Sequence, residues 1–251
     1  MALDQAAANP YVDFGKGVVA DAAPNVRATF IRQTYTHLAI AIYGFAALEW
    51  FYFKTFNIDA LMNQLMGMRY GILGVIGLFI GASLIADRMA RSAVSLSKQY
   101  LALGIYVLAQ SIIFVPLLWF AQDRTLALTQ GVEVSLIPAA ACSTLIIFAG
   151  LTAIAWFSGQ DFSFLRAGLS LGGIIIFALI VVSYFFPLQL GVWFSVGMIG
   201  FASAYILYDT SNVIRHYAPT QYVAASLALF ASVALLFFYV LRLMIALSSR
   251  D

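Results

Sequence analysis

The chain has 251 residues, 63% of them hydrophobic and 10% charged, against about 25% charged in an average soluble domain. That composition excludes a soluble globular enzyme. A formal net charge of +2, with no basic cluster interleaved with aromatics in a polar segment, leaves nucleic-acid binding without a footing.

Residues Met1 to Gln33 form an Ala-rich polar tail with Asp4, Asp13, Lys16, Asp21, Arg27 and Arg32 spread through it. It lacks the positive start, compact apolar stretch and small-residue cleavage site of a signal peptide, so the first apolar helix is expected to be retained. From there on, apolar runs are long enough to cross a bilayer core about 30 Å thick, which takes about 20 helical residues. The expected spans are Tyr35–Phe53, Tyr70–Ala86, Tyr100–Ala121 and Leu136–Phe157, then two sharing the run Ala167–Tyr208 and divided near Phe186-Pro187, and last Tyr222 to about Leu247. Proline supplies the break in the shared run. The expected fold is all-α, a polytopic membrane bundle of seven transmembrane helices over residues 34–251.

An odd number of spans puts the two termini on opposite sides. Eight Lys and Arg fall on the side of the N-terminus and five on the other, so the positive-inside rule favours a cytoplasmic N-terminus. Trp50, Tyr52, Trp119, Trp156 and Trp193 fall near span ends and read as interfacial anchors. The pairs Gly67/Gly71, Gly77/Gly81 and Gly168/Gly172 have the spacing that lets helix backbones approach closely. Gln110 reads as polar glue between helices, and the lone Cys142, inside an apolar run, excludes an internal disulfide and reads as packing. Glu49, with Lys54 close behind, reads as an interfacial pair whose heads snorkel to water.

Asp209 is the residue that asks for an explanation. From Ala167 to Tyr208 there is no ionisable Asp, Glu, Lys, Arg or His, and a charge at a membrane helix centre costs about 2.5–3.5 kcal/mol. A helix-terminal role is unfavourable, because an acid at a helix C-terminus opposes the macrodipole. The apolar pattern also runs past Asp209 through Val213 and Ile214 to Pro219, so the acid is expected about two turns inside its helix. Asn212 and His216 follow at i+3 and i+7 and extend a polar stripe. Arg88 and Arg91, at the end of the second span, are the cations expected on the same side.

Hydrolytic chemistry finds little support. H-E-x-x-H is absent, two histidines are too few for a histidine metal site, and the second acid that an intramembrane aspartyl protease needs has no Gly-x-Gly-Asp to carry it. No enzymatic activity, cofactor or metal centre is expected.

The strings Tyr205-Ile-Leu-Tyr-Asp-Thr210, Ala225-Ser-Leu-Ala-Leu-Phe230 and Phe238-Tyr-Val-Leu-Arg-Leu243 resemble the last two spans of the Bax inhibitor-1 (TMBIM) family, and Gly159-Gln-Asp-Phe-Ser-Phe-Leu165 resembles its loop between the fourth and fifth spans. The resemblance runs from about Arg27 onward. It implies an integral membrane protein, of bacterial type in the inner membrane, with a central seventh helix. It also implies a pH-sensitive calcium leak gated by two aspartates. Asp209 matches the first, whereas the second falls at Ser232 and the amide that follows it at Leu235. Two close carboxylates can share a proton and split their titrations, and calcium prefers six to eight oxygens with several carboxylates; one acid beside a serine supplies neither. The candidate ion or proton site is therefore Asp209, Ser232, Asn212, Arg88 and Arg91, with calcium or protons as its ligands. The alternative is a non-conducting accessory or regulatory subunit that binds a larger membrane complex or membrane protease through the tail and the outer helix faces.

Overall fold

A computed structural model describes residues 17–90, 95–127, 133–186 and 191–248. After a 3-10 turn at Val19–Asp21, helix α1 spans Pro24–Thr55, α2 Ile58–Gly67, α3 Gly71–Ala90 and α4 Leu96–Ala121. Strands β1 (Thr125–Ala127) and β2 (Glu133–Ser135) follow, then α5 (Leu136–Phe157), a 3-10 turn at Phe162–Phe164, α6 (Leu165–Phe185), α7 (Val192–Arg215) and α8 (Tyr222–Ser248).

Among the described residues the architecture is all-helical apart from one small hairpin. Five helices, α4 to α8, are long and apolar enough to cross a membrane, and in α3 the apolar stretch Leu73–Ala86 is shorter. Helix α1 is the longest, and Pro24 in its first turn supplies a φ already suited to a helix start. Its 32 residues extend about 48 Å at 1.5 Å per residue. Its apolar character is diluted by Thr34, His37 and Glu49 in mid-run and by Arg27, Arg32 and Lys54 toward the ends. The division expected near Phe186-Pro187 appears as the end of α6, whose C-cap is Phe186; Pro187 lies outside the described residues.

Two small elements are absent from the expected string of spans. In α2, Asn57 accepts a hydrogen bond from Ala60 N at 3.0 Å as N-cap. Ile58 and Met62, one turn apart, are buried against Tyr52, Phe53, Val115 and Trp119. Beside them, Trp119 Nε1 donates to Asp59 Oδ1 at 2.7 Å. The hairpin pairs β1 with β2 antiparallel, Thr125 opposite Ser135.

Helix α8 is the hub, packed against α1, α4, α5 and α7. Helices α1, α4 and α8 run parallel. At one end the His37 ring meets those of Tyr100 and Tyr222 at 5.4 and 5.2 Å; farther along, Phe114 stacks on Phe237 at 5.5 Å. The end with His37 also holds Val19, whose N–H donates to Tyr217 O at 2.8 Å.

Small and polar side chains such as Thr34, Ser111, Thr210 and Ser226 are buried, while Ile146, Phe157, Ile174 and Trp193 point outward. That distribution would be unstable in water and suits a bilayer, where the outer face meets hydrocarbon and helix contacts rely on close packing. Cys142 is on the outer face of α5, so it does not pack in the core as its apolar setting suggests. Of the glycine pairs, one member of two meets another part of the chain: a Cβ on Gly172 would stand 2.8 Å from the Phe201 ring of α7, and one on Gly71 would strike the Leu65 carbonyl. At Gly67, Gly77, Gly81 and Gly168 a Cβ would meet open space.

Candidate functional site

The site sits where α7 and α8 face each other. Asp209 lies six residues before the end of α7 at Arg215, and Ser232 lies ten residues into α8. The Ser232 hydroxyl donates to Asp209 Oδ2. Ten residues of helix correspond to about 15 Å and six to about 9 Å, so the pair stands about two to three turns inside the bundle from the end that carries the α7–α8 turn. Ser232 is 4% exposed, and Asp209 is partly buried. From α4, Tyr106 stands within electrostatic reach of the acid, and its ring also meets Phe230 edge-on at 6.1 Å.

Asn212 has a different setting from the one its spacing suggests. With Tyr208, His216, Tyr217, Gln221 and Arg166 it lines an open cleft at the membrane-end side of α7. Tyr208 and Asn212 flank Asp209 in sequence, so the cleft reaches within one turn of the acid without including it. Arg88 lies in the last turn of α3, its side chain outside the described residues, and Arg91 lies outside them as well.

The cleft is bordered by a clasp that the sequence does not announce. Asp161 caps the short turn before α6 by accepting from Ser163 N at 2.9 Å. Ser211 of α7 accepts from Phe162 N at 3.0 Å and donates to Asp161 Oδ1 at 3.4 Å. His216 Nε2 lies 3.7 Å from Asp161 Oδ2, and Arg215 donates to the Gly159 carbonyl. Gly159 has φ +63°, a left-handed conformation that glycine adopts without strain. The Ser163 backbone N–H holds the Asp161 carboxyl below its ordinary range; partial burial opposes this, and the Ser163 hydroxyl, His216 and Arg215 add to it.

Gln99 of α4 ties the other end of the α7–α8 turn. It donates through Nε2 to Thr220 O and accepts from Ala224 N through Oε1, each at 3.3 Å. Ala224 is in the first turn of α8, where backbone N–H groups have no partner within their own helix. An amide one residue after Lys98 carries no sequence signal for such a bond across 125 positions.

Glu49 departs furthest from expectation. It is 6% exposed, its two carboxyl oxygens have no hydrogen-bond partner among the described residues, and Lys54 is exposed. The snorkelling pair is overturned by helical phase: Phe30, Thr34, Leu38, Ala41 and Glu49 are the buried residues of α1, so Glu49 lies on the inward stripe and Lys54 off it. Arg242 likewise turns to rings, its guanidinium 5.5 Å from Phe194 and 6.0 Å from Tyr239. The letters Gly168-Leu-Ser-Leu-Gly172 spell a nucleophile elbow, but they lie inside α6 with Ser170 on its outer face. That motif works only on a sharp strand-to-helix turn. Among the described residues, no three His, Cys, Asp or Glu side chains gather as a metal cluster.

A bundle of long apolar helices with polar side chains turned inward defines a polytopic α-helical membrane protein. The family described as Inhibitor of apoptosis-promoting Bax1 matches residues 27–250. The chain belongs to this Bax inhibitor-1 family. It is 35% identical to an uncharacterized protein of Pseudomonas aeruginosa over 112 residues, 43% of this chain and 49% of the relative. It is 33% identical to the BI1-like protein of Arabidopsis thaliana over 140 residues, 53% and 52%. With protein lifeguard 4 of Mus musculus it shares 26% over 247 residues, 95% and 94%. The chain thus spans about half the length of the first two relatives and nearly all of the third.

Proposed function

We propose that this protein is a proton-regulated ion-leak protein with seven membrane spans and a cytoplasmic N-terminus, of the bacterial inner membrane, in which Asp209 is the titrating group. The role is non-enzymatic. The observation that carries it is the hydrogen bond from Ser232 to Asp209, about two to three turns inside the bundle, between the hub helix and the helix that leads to the cleft. A lone carboxyl there changes its hydrogen-bonding role with its protonation: ionised it only accepts, protonated it can also donate. The contact between α7 and α8 therefore differs between the two states. Arg88 and Arg91 are the cations proposed to meet Asp209 when it is ionised. Calcium is the ion to test first, although a single carboxylate with a serine is a poor calcium site; protons are the ligand that the pair favours.

The experiment is flux into liposomes holding the purified protein, as wild type, Asp209→Asn and Ser232→Asp, over the range of about pH 5–8 in which environment-shifted groups titrate. Wild type is expected to conduct with a single pH-dependent step, and Asp209→Asn to abolish that step. Ser232→Asp is expected to split it into two steps at least about one pH unit apart, as coupled carboxylates do. Flux in Asp209→Asn with an unaltered pH profile would remove Asp209 from the mechanism.

A second reading is favoured by one feature of the same contact. The acid already has a donor in Ser232, and a satisfied carboxyl needs no ion. On that reading the protein is a non-conducting accessory or regulatory subunit of a larger membrane complex or membrane protease, held through the N-terminal tail and outer helix faces. Silent wild-type liposomes, with a co-purifying membrane protein retained by Asp209→Asn and lost on shortening the tail, would favour it.

A further inference from the structure

Glu49 shares the interior of the bundle with Asp209 but not its site. On α1, Phe45 meets Phe230 of α8 and Phe114 of α4, with ring centres at 6.2 and 5.0 Å, and Glu49 lies one turn farther along the same stripe. Phe230 and Ser232 are two residues apart on α8, hence about 200° around it. The two acids therefore flank the hub helix from different sides at similar depth.

Among the described residues, no positive charge is paired with Glu49. Helix α1 packs against α4, α8 and the Val19–Asp21 turn. On these, Asp21, Lys98, Tyr100 and Tyr222 belong to the end marked by His37, twelve residues before Glu49, or about 18 Å. The Tyr106 ring of α4 meets Phe230, and Tyr239 and Arg242 of α8 are engaged with Phe194 of α7. On α2, Asp59 accepts from Trp119. A polar contact between α1 and α4 on this side is uncharged: Tyr52 of α1, three residues beyond Glu49, has its hydroxyl 3.3 Å from that of Ser111 of α4. Gln110, the residue before Ser111, is 6% exposed with its side-chain amide oxygen unpartnered among the described residues.

A buried carboxylate without a partner is among the most costly groups a protein can hold, and it becomes tolerable when something positive sits on it. A metal ion would need room and several further oxygens, whereas both Glu49 oxygens are sealed from solvent. A proton needs no room, and it removes the charge while leaving a group that can donate as well as accept. We infer that Glu49 is a second proton-binding site of this membrane bundle, separate from Asp209 and on the α1 side of α8. The proton is exchanged with water, one O–H bond forming on the carboxyl as one breaks in hydronium, and no electrons are transferred. Losing it leaves an unpaired charge in the contact that holds α1 to the hub. This inference does not depend on ion conduction.

The chain has two glutamates, Glu49 and Glu133, and Glu133 is in the exposed hairpin. Glutamate labelled with 13C at the side-chain carboxyl, in a Glu133→Gln background, therefore reports Glu49 alone. Solid-state NMR of that protein in liposomes at about pH 7 is expected to show a carboxylic-acid signal from at least ~90% of molecules, where an ordinary glutamate of pKa about 4.3 would show well under 1%. The signal should disappear in Glu49→Gln and persist in Asp209→Asn. A carboxylate signal at that pH overturns the inference, as does a protonated signal lost in Asp209→Asn. Should Glu49→Gln fail to insert, the signal of the Glu133→Gln protein decides the matter by itself.

Discussion

Asp209 accepts one hydrogen bond from a side chain on the neighbouring helix, and its stability in the membrane interior depends on that donor. Ser232→Ala removes the hydroxyl and leaves a partly buried carboxyl facing an alanine. The expected cost is about 1–3 kcal/mol, the price of an unsatisfied buried group, read as a lower midpoint of thermal unfolding in detergent. Ser232→Thr, which keeps a hydroxyl, should recover most of it. Asp209 was legible as an anomaly because a charge after a long charge-free run is visible in one dimension. For Glu49 the nearby Lys54 suggests a pair in one dimension, and only the phase of α1 shows that the two side chains diverge.

Among the elements, the contact between α6 and α7 rests on Gly172. A side chain there meets the Phe201 ring at 2.8 Å, so Gly172→Val is expected to destabilise by about 1–3 kcal/mol, as overpacking does. Gly168→Val, at a position where a Cβ would meet nothing within 4 Å, should change little. Thermal unfolding of both variants in one detergent makes the comparison, and Phe201→Leu should partly rescue Gly172→Val. The clasp at the end of α7 adds a pH dependence. Because the folded-state pKa of Asp161 is depressed, the stability it contributes is fully present above the ordinary aspartate value of about 3.9 and is lost as pH falls through the lower folded value. Hydrogen exchange at Phe162 and Ser163, normalised to intrinsic rates, should accelerate only below about pH 4. Asp161→Ala should exchange fast at every pH.

For the whole molecule, the orientation of the helices in the bilayer is open to a direct test. Helix α5 has 22 residues and extends about 33 Å, so Asp123 before it and Ser163 after it belong on opposite faces. With Cys142 replaced by Ala, Asp123→Cys and Ser163→Cys should react with an impermeant thiol reagent from opposite sides of sealed vesicles. In the proposed orientation Ser163→Cys is cytoplasmic. Labelling of both from one side would remove a span and with it the seven-helix topology.

The helical membrane class was determined by composition and by the lengths of the apolar runs, because the bilayer thickness converts directly into residues of helix. The family could be read from short strings in the last two spans and the loop before α6, and Asp209 from the cost of its charge. Tertiary structure alone decided that Ser232 is its donor, that Asn212 belongs to the cleft, that Gln99 caps α8 and that Glu49 is buried without a partner. Each of these depends on the rotation of one helix against another. In a chain where nearly every face of a helix is apolar, no polar stripe marks which side turns inward, and the packing must supply that direction.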